Sequence, residues 1–248
     1  MLSMLQTRTI FPTHAVATAG PLPRGAQPVQ LKAADGEMLH GVRFPPVSAA
    51  AERVLILGFA GNAWNSQDAA TYLHQIYPGA DVVVFHYRGY RPSTGTPSAE
   101  ALIDDAPAVY DFAVDLVLPK RTVAVGFSIG SGVAASLAAR RKLDGIVLVT
   151  PFDSLKAVAV EQFPWLPIGL MFEHEMNAAD FLRSSPVPVA ILAGERDSLI
   201  LPQRTDALRQ AVGNLAFDRT IRGAGHNDIY HRSDFQHAMR DALAHILR

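Results

Sequence analysis

The chain has 248 residues, enough for one large domain with a full hydrophobic core. Its 22 Lys and Arg balance 23 Asp and Glu, which leaves no basic excess to draw nucleic acid or an anionic membrane. Absence of cysteine excludes a disulfide scaffold, thiol catalysis and Cys-based metal sites, and no apolar run approaches the ~18 residues of a spanning helix.

Residues 1–28 carry Pro12, Pro21, Pro23 and Pro28 with little periodicity, and read as an extended arm laid on the surface of a single domain spanning 29–248. Gln6, Thr7, Arg8 and Thr9 interrupt any signal-like apolar stretch, so the start reads as cytosolic. Val29–Ala33 and Met38–Phe44 flank the turn signal Asp35-Gly36 and are predicted as antiparallel strands. Arg53–Gly58 and Asp81–His86 are continuous apolar runs expected of buried strands, with a short helix over Asp68–Ile76 between them. Ser98 can cap a helix running to Leu116, which Pro107 would kink or shorten. Thr122–Gly126 reads as a buried strand and Ser128–Arg140, rich in Ala and Leu, as a helix.

Gly145–Val149 follows as a strand, and residues 152–182 then break the alternation. Strand Val189–Ala193, helix Pro202–Val212, strand Phe217–Ile221 and helix Asp234–Leu247 complete it. Strands alternating with helices imply an α/β fold, a mainly parallel twisted sheet of about eight strands with helices on both faces. The insert at about 152–182 becomes a small cap over the strand C-terminal edge, where ligands bind in open α/β sheets.

The most informative stretch is Gly126-Phe127-Ser128-Ile129-Gly130, a G-x-S-x-G pentad at a strand-to-helix turn. Glycines two residues either side of Ser128 remove the Cβ atoms that would obstruct a sharp turn. The serine hydroxyl then stands above the strand ends, and the following helix N-terminus aims backbone N–H groups at a reacting carbonyl. The same pentad would also suit a plain turn with a serine N-cap. A serine nucleophile needs a base, and the base an acid. Asp197, in Gly194-Glu195-Arg196-Asp197, follows a buried strand and lies on the same rim. Glu195 and Asp153 are rival acids. His226 lies in a glycine-rich loop between the last strand and the last helix, with His174 and His231 as weaker candidates. The order Ser128, Asp197, His226 is that of an α/β-hydrolase triad.

These segments resemble the α/β-hydrolase superfamily over about residues 29–246, and its small HGNAGN-type serine hydrolases in particular. Leu57-Gly58-Phe59-Ala60-Gly61-Asn62 takes the place of HGNAGN, and His86-Tyr87-Arg88-Gly89-Tyr90-Arg91 resembles a DYRGYG loop. The resemblance implies backbone N–H donors at Phe59 and Ile129 for an oxyanion, which tolerates the loss of the usual His and Asn side chains. Arg91 replaces a glycine, and reads either as a positive charge near the entrance or as a solvated loop arginine. Phe59, Phe152, Phe163, Trp165, Met171 and Phe172 are the candidate lining of an apolar acyl site. The implied activity is carboxylesterase-like, on a small-molecule ester and without a cofactor. A peptidase, a C–C bond hydrolase or a non-catalytic binder could be built on the same frame. Glu173, His174 and Glu175 form only a weak metal motif.

Overall fold

The computed structural model describes residues 2–48, 52–164 and 172–248. Eight strands form one sheet in the order β1-β2-β4-β3-β5-β6-β7-β8. β1 (Gln27–Lys32) and β2 (Met38–Phe44) make the hairpin expected around Asp35-Gly36, with Gly36 in the left-handed region at φ 94°. β2 runs antiparallel to β4 (Asp81–Phe85), and from there to β8 every pairing is parallel. The central members β3 (Val54–Phe59), β5 (Arg121–Phe127), β6 (Gly145–Val149) and β7 (Val189–Gly194) are covered on both faces, which is why they read as unbroken apolar runs. β1 and β8 (Leu215–Ile221) are the two exposed edges.

Two apolar clusters, one per face, fill the space between sheet and helices. On one face lie α3 (Ala99–Val117) and α4 (Ile129–Ala138), and on the other α2 (Ser66–Ile76) and the final helix. α4 has all ten residues buried, and its Gly, Ser and Ala side chains let it lie deep against the sheet. Pro107 does not interrupt α3. Proline removes the amide that would bond the Ile103 carbonyl, and Arg140 Nη1 donates to that oxygen at 3.3 Å instead.

At the start of β4, Asp81 is fully buried and held by two cations. Arg43 of β2 reaches it at 2.7 Å and Arg53, just before β3, at 2.9 Å. After β6 the chain forms α5 (Leu155–Gln162) and α6 (Ala178–Arg183). β7 is followed by α7 (Pro202–Ala211), and β8 by the closing α8 (Ser233–Ile246).

One expectation fails at the N-terminus. The supposed extended arm begins with α1 (Leu2–Ile10), and Phe11 is only 2% exposed. Its prolines lie after the helix, at positions where they cannot break it.

Candidate active site

Because β5, β7 and β8 are parallel, their C-terminal ends open on one rim, and the loops that follow carry Ser128, Asp197 and His226. Ser128 sits between β5 and α4 with φ 51° and ψ −116°, a conformation that costs a non-glycine residue about 1–3 kcal/mol. The flanking glycines make that turn possible. A methyl on Gly126 would come 2.3 Å from the Gly130 carbonyl oxygen, and one on Gly130 would come 2.2 Å from that of Phe59. Ser128 holds the N-cap position of α4, yet its side chain makes no capping bond.

The hydroxyl faces histidine instead. His226 Nε2 lies 3.1 Å from Ser128 Oγ, and His226 Nδ1 lies 2.7 Å from Asp197 Oδ2. A carboxylate only accepts, so the Nδ1–H donates to Asp197 and the Nε2 lone pair receives the serine hydroxyl. The other carboxylate oxygen, Oδ1, accepts from the Leu199 and Ile200 amides at 2.9 and 2.8 Å, which fixes the plane of Asp197. All three side chains are buried. Gly194 lets the His226 loop approach, since a methyl there would come 2.6 Å from the Ala224 carbonyl oxygen.

A family model described as the alpha/beta hydrolase fold matches residues 54–175. An uncharacterized protein of Mycobacterium tuberculosis, Rv2307c, is 30% identical over 221 residues, spanning 85% of this chain and 78% of that protein. The chain belongs to the α/β-hydrolase superfamily. An α/β hydrolase from Vibrio vulnificus shares the fold with a TM-score of 0.77 at 18% identity, over 99% of this chain and 94% of that one. An esterase from Pyrococcus furiosus does so with a TM-score of 0.74 at 19% identity, over 94% and 96%.

The rival residues of this α/β hydrolase are engaged elsewhere. Glu195 accepts from the Gly223 amide at 2.7 Å and so braces the loop that carries His226. Asp153 meets Arg204 at 3.3 Å, and burial raises its pKa while that guanidinium works against the rise. His174 pairs with Thr7 Oγ1 at 2.8 Å, whereas Glu175 accepts from the Ser154 hydroxyl, so the supposed metal motif is split between two attachments. His231 lies in the short 3-10 turn Ile229–His231.

Phe59 ends β3 and Ile129 opens α4, whose first amides have no intrahelical acceptor. The Phe59–Gly61 corner is fixed by Tyr87, whose hydroxyl donates to the Ala60 carbonyl at 2.8 Å. Of the apolar candidates, Phe152 packs beside Gly132 with Met176, Phe172 is half-buried against the same cluster, and Phe163 caps the C-terminus of α5. Trp165 and Met171 lie outside the described residues. Arg91 is exposed and, with Thr13, His14 and Gly89, borders a cavity of about 340 Å³.

Sequence reading missed Trp64 and Tyr230. Their rings lie 5.1 Å apart and stack at angles onto Phe127, directly before the serine. No local pattern marks them, because Trp64 and Tyr230 meet only once the sheet has formed. Asn62 was visible within the Gly-Asn loop pattern, but its partner was not.

Proposed function

We propose that the protein is a serine hydrolase that cleaves carboxylic esters, and by the same chemistry thioesters or amides, of a modest apolar acyl group. The observation that carries this reading is the hydrogen-bonded run from Asp197 through His226 to a serine that forgoes its capping bond. In the reaction, Ser128 Oγ attacks the acyl carbonyl carbon while His226 Nε2 takes the hydroxyl proton. Asp197 holds the Nδ1–H and stabilises the imidazolium. Charge developing on the carbonyl oxygen is met by the backbone N–H groups of Phe59 and Ile129. The C–O bond then breaks, His226 gives its proton to the departing alcohol, and the acyl group stays on Ser128. Water attacks that acyl-enzyme, with His226 accepting the water's proton and returning it to Ser128 Oγ as the acid leaves. Each proton in the cycle passes through one imidazole.

The name of the Pyrococcus protein, an esterase, agrees with an ester substrate. The buried apolar surroundings of Phe59, Phe152 and Phe172 favour an apolar acyl group. Ser128→Ala tests the assignment. Ester turnover and fluorophosphonate labelling should both vanish while the melting temperature is retained, and persistent labelling of the alanine variant would move the nucleophile to another residue.

A further inference from the structure

The end of α1 and the segment that follows it are tied to the loop after β3 and the first turn of α2 by three amide side chains. Asn62 Nδ2 donates to the Ile10 carbonyl at 3.0 Å, Asn65 Nδ2 to the Ala17 carbonyl at 2.7 Å and Gln67 Nε2 to the Gly20 carbonyl at 3.1 Å. On its other side the N-terminal region reaches the strip 172–176. Thr7 pairs with His174, the Glu173 amide donates to Gln6 Oε1 at 3.3 Å, and the Phe11 ring meets the edge of the His174 ring at 5.3 Å.

Both anchor points flank the nucleophile. A methyl on Gly61, the residue before Asn62, would lie 3.9 Å from Ser128 Cβ. Met176, two residues after His174, lies against Gly132 near the start of α4. The Phe59–Gly61 corner thus adjoins Ser128 itself, and the strip ends on Met176 against the first turn of the helix that Ser128 opens. Phe11 follows Ile10, which Asn62 holds next to that corner, its ring meets His174 of the strip, and it belongs to the apolar cluster that contains Phe59, Ile129, Phe152 and Met176.

We propose that Phe11 forms a wall of the acyl site and sets the length of the acyl chain that the site accepts. This rests on the serine hydrolase reading and adds a specificity-determining residue to it. The N-terminal region is then part of the substrate site. An aromatic ring there stops a growing chain, and its removal opens room for further methylenes.

The test is kcat/KM over p-nitrophenyl esters from acetate to dodecanoate, for the wild type, Phe11→Leu, Phe11→Ala and Phe11→Trp. In the wild type, kcat/KM should rise about four-fold for each methylene that fits, then fall. Phe11→Ala and Phe11→Leu should move the optimum to longer chains, with a gain of about ten-fold on the first ester that the wild type disfavours. Phe11→Trp should move the optimum the other way. Opposite shifts from smaller and larger side chains are not what a loosened fold produces. An optimum common to all four proteins, with only melting temperatures changed, would overturn the proposal and make Phe11 a packing residue. Fluorophosphonate labelling and acetate-ester turnover judge the hydrolase reading separately. Should the wild type lack both, calorimetric titration with butyrate through dodecanoate still decides. A length preference that shifts in Phe11→Ala supports the acyl wall, and a flat profile overturns it.

Discussion

Ser128 and Asp197 hang from β5 and β7, strands whose side chains are nearly all buried and whose spacing is set by the backbone ladder of the sheet. Phe11 and His174 hold their places differently. They belong to irregular segments, positioned by side-chain amides on backbone carbonyls and by a Thr7–His174 pair that spans 167 positions in sequence. The rim is thus built by regular structure, and the region above it by individual polar contacts worth about 1 kcal/mol each. Changes at the rim should alter chemistry with little effect on stability. Changes above it should lower stability and, at Phe11, shift the acyl-chain preference, while leaving the chemical step little altered.

The largest effect is expected at the rim. Asn in place of Asp197 can still accept from the Leu199 and Ile200 amides through its carbonyl, which turns its NH2 group towards His226 Nδ1. The imidazole must then carry its proton on Nε2 and cannot accept the serine proton. Asp197→Asn should lower kcat by about 10⁴-fold, with the melting temperature nearly unchanged. Glu195→Gln, at a side chain whose hydrogen-bond partner among the described residues is the Gly223 amide, should be mild by comparison. A larger loss in the Glu195 variant, measured under saturating ester, would reassign the acid.

Acidification should expose the difference from the other side. Burial pushes the pKa of His86, at the end of β4, down to about 4, with His40 adding to the effect. His174 is lowered as well, first by burial, with the Glu173 carboxylate opposing. Both are therefore neutral in the folded protein at pH values where the unfolded chain is already taking up protons. The stability that His86 provides is complete above about pH 6.5 and falls as pH drops from there towards 4, by up to about 1.4 kcal/mol per pH unit, and His174 contributes in the same direction. Melting temperature should decline across that window. His174→Gln should make the decline shallower without removing it, because His86 remains. A wild-type melting temperature constant from pH 6.5 to 4.5 would contradict this reading.

The smallest effect concerns one contact. Asn65 caps α2 by accepting from the Gln67 amide at 2.8 Å and also donates to Ala17. Asn65→Asp keeps the cap and deletes the donor, so the cost should be about 1–2 kcal/mol. It should appear as a lower melting temperature and as faster thermolysin cleavage within residues 12–21. Unaltered cleavage would mean that the Asn65–Ala17 bond does not hold the segment down.

The same contrast explains what could be read from the sequence. The α/β sheet and the hydrogen-bonded trio were legible because their signals are local: apolar strand runs, glycines beside Ser128, and charged or histidine residues a few positions past a strand end. Helix α1 and the buried position of Phe11 were not. Their stabilising partners, among them Asn62 and His174, lie about 50 to 170 positions away, and nothing near Phe11 announces them. Pro107 misled for a related reason, since the donor that satisfies the Ile103 carbonyl comes from Arg140.

Asp81 carries a consequence for how the molecule assembles. Its carboxylate is satisfied only when Arg43 and Arg53 arrive together, and these come from opposite neighbours of β4. If either neighbouring strand slipped along β4, the buried carboxylate would lose one of its two cations, and if both slipped it would be sealed in without a counter-ion, at a cost of about 3–5 kcal/mol. That is a large share of what stabilises a protein of this size. A hydrophobic residue at this position would accept several misaligned arrangements almost equally. The buried acid accepts one, and so acts as a proofreading device for the half of the sheet that must combine antiparallel and parallel pairing.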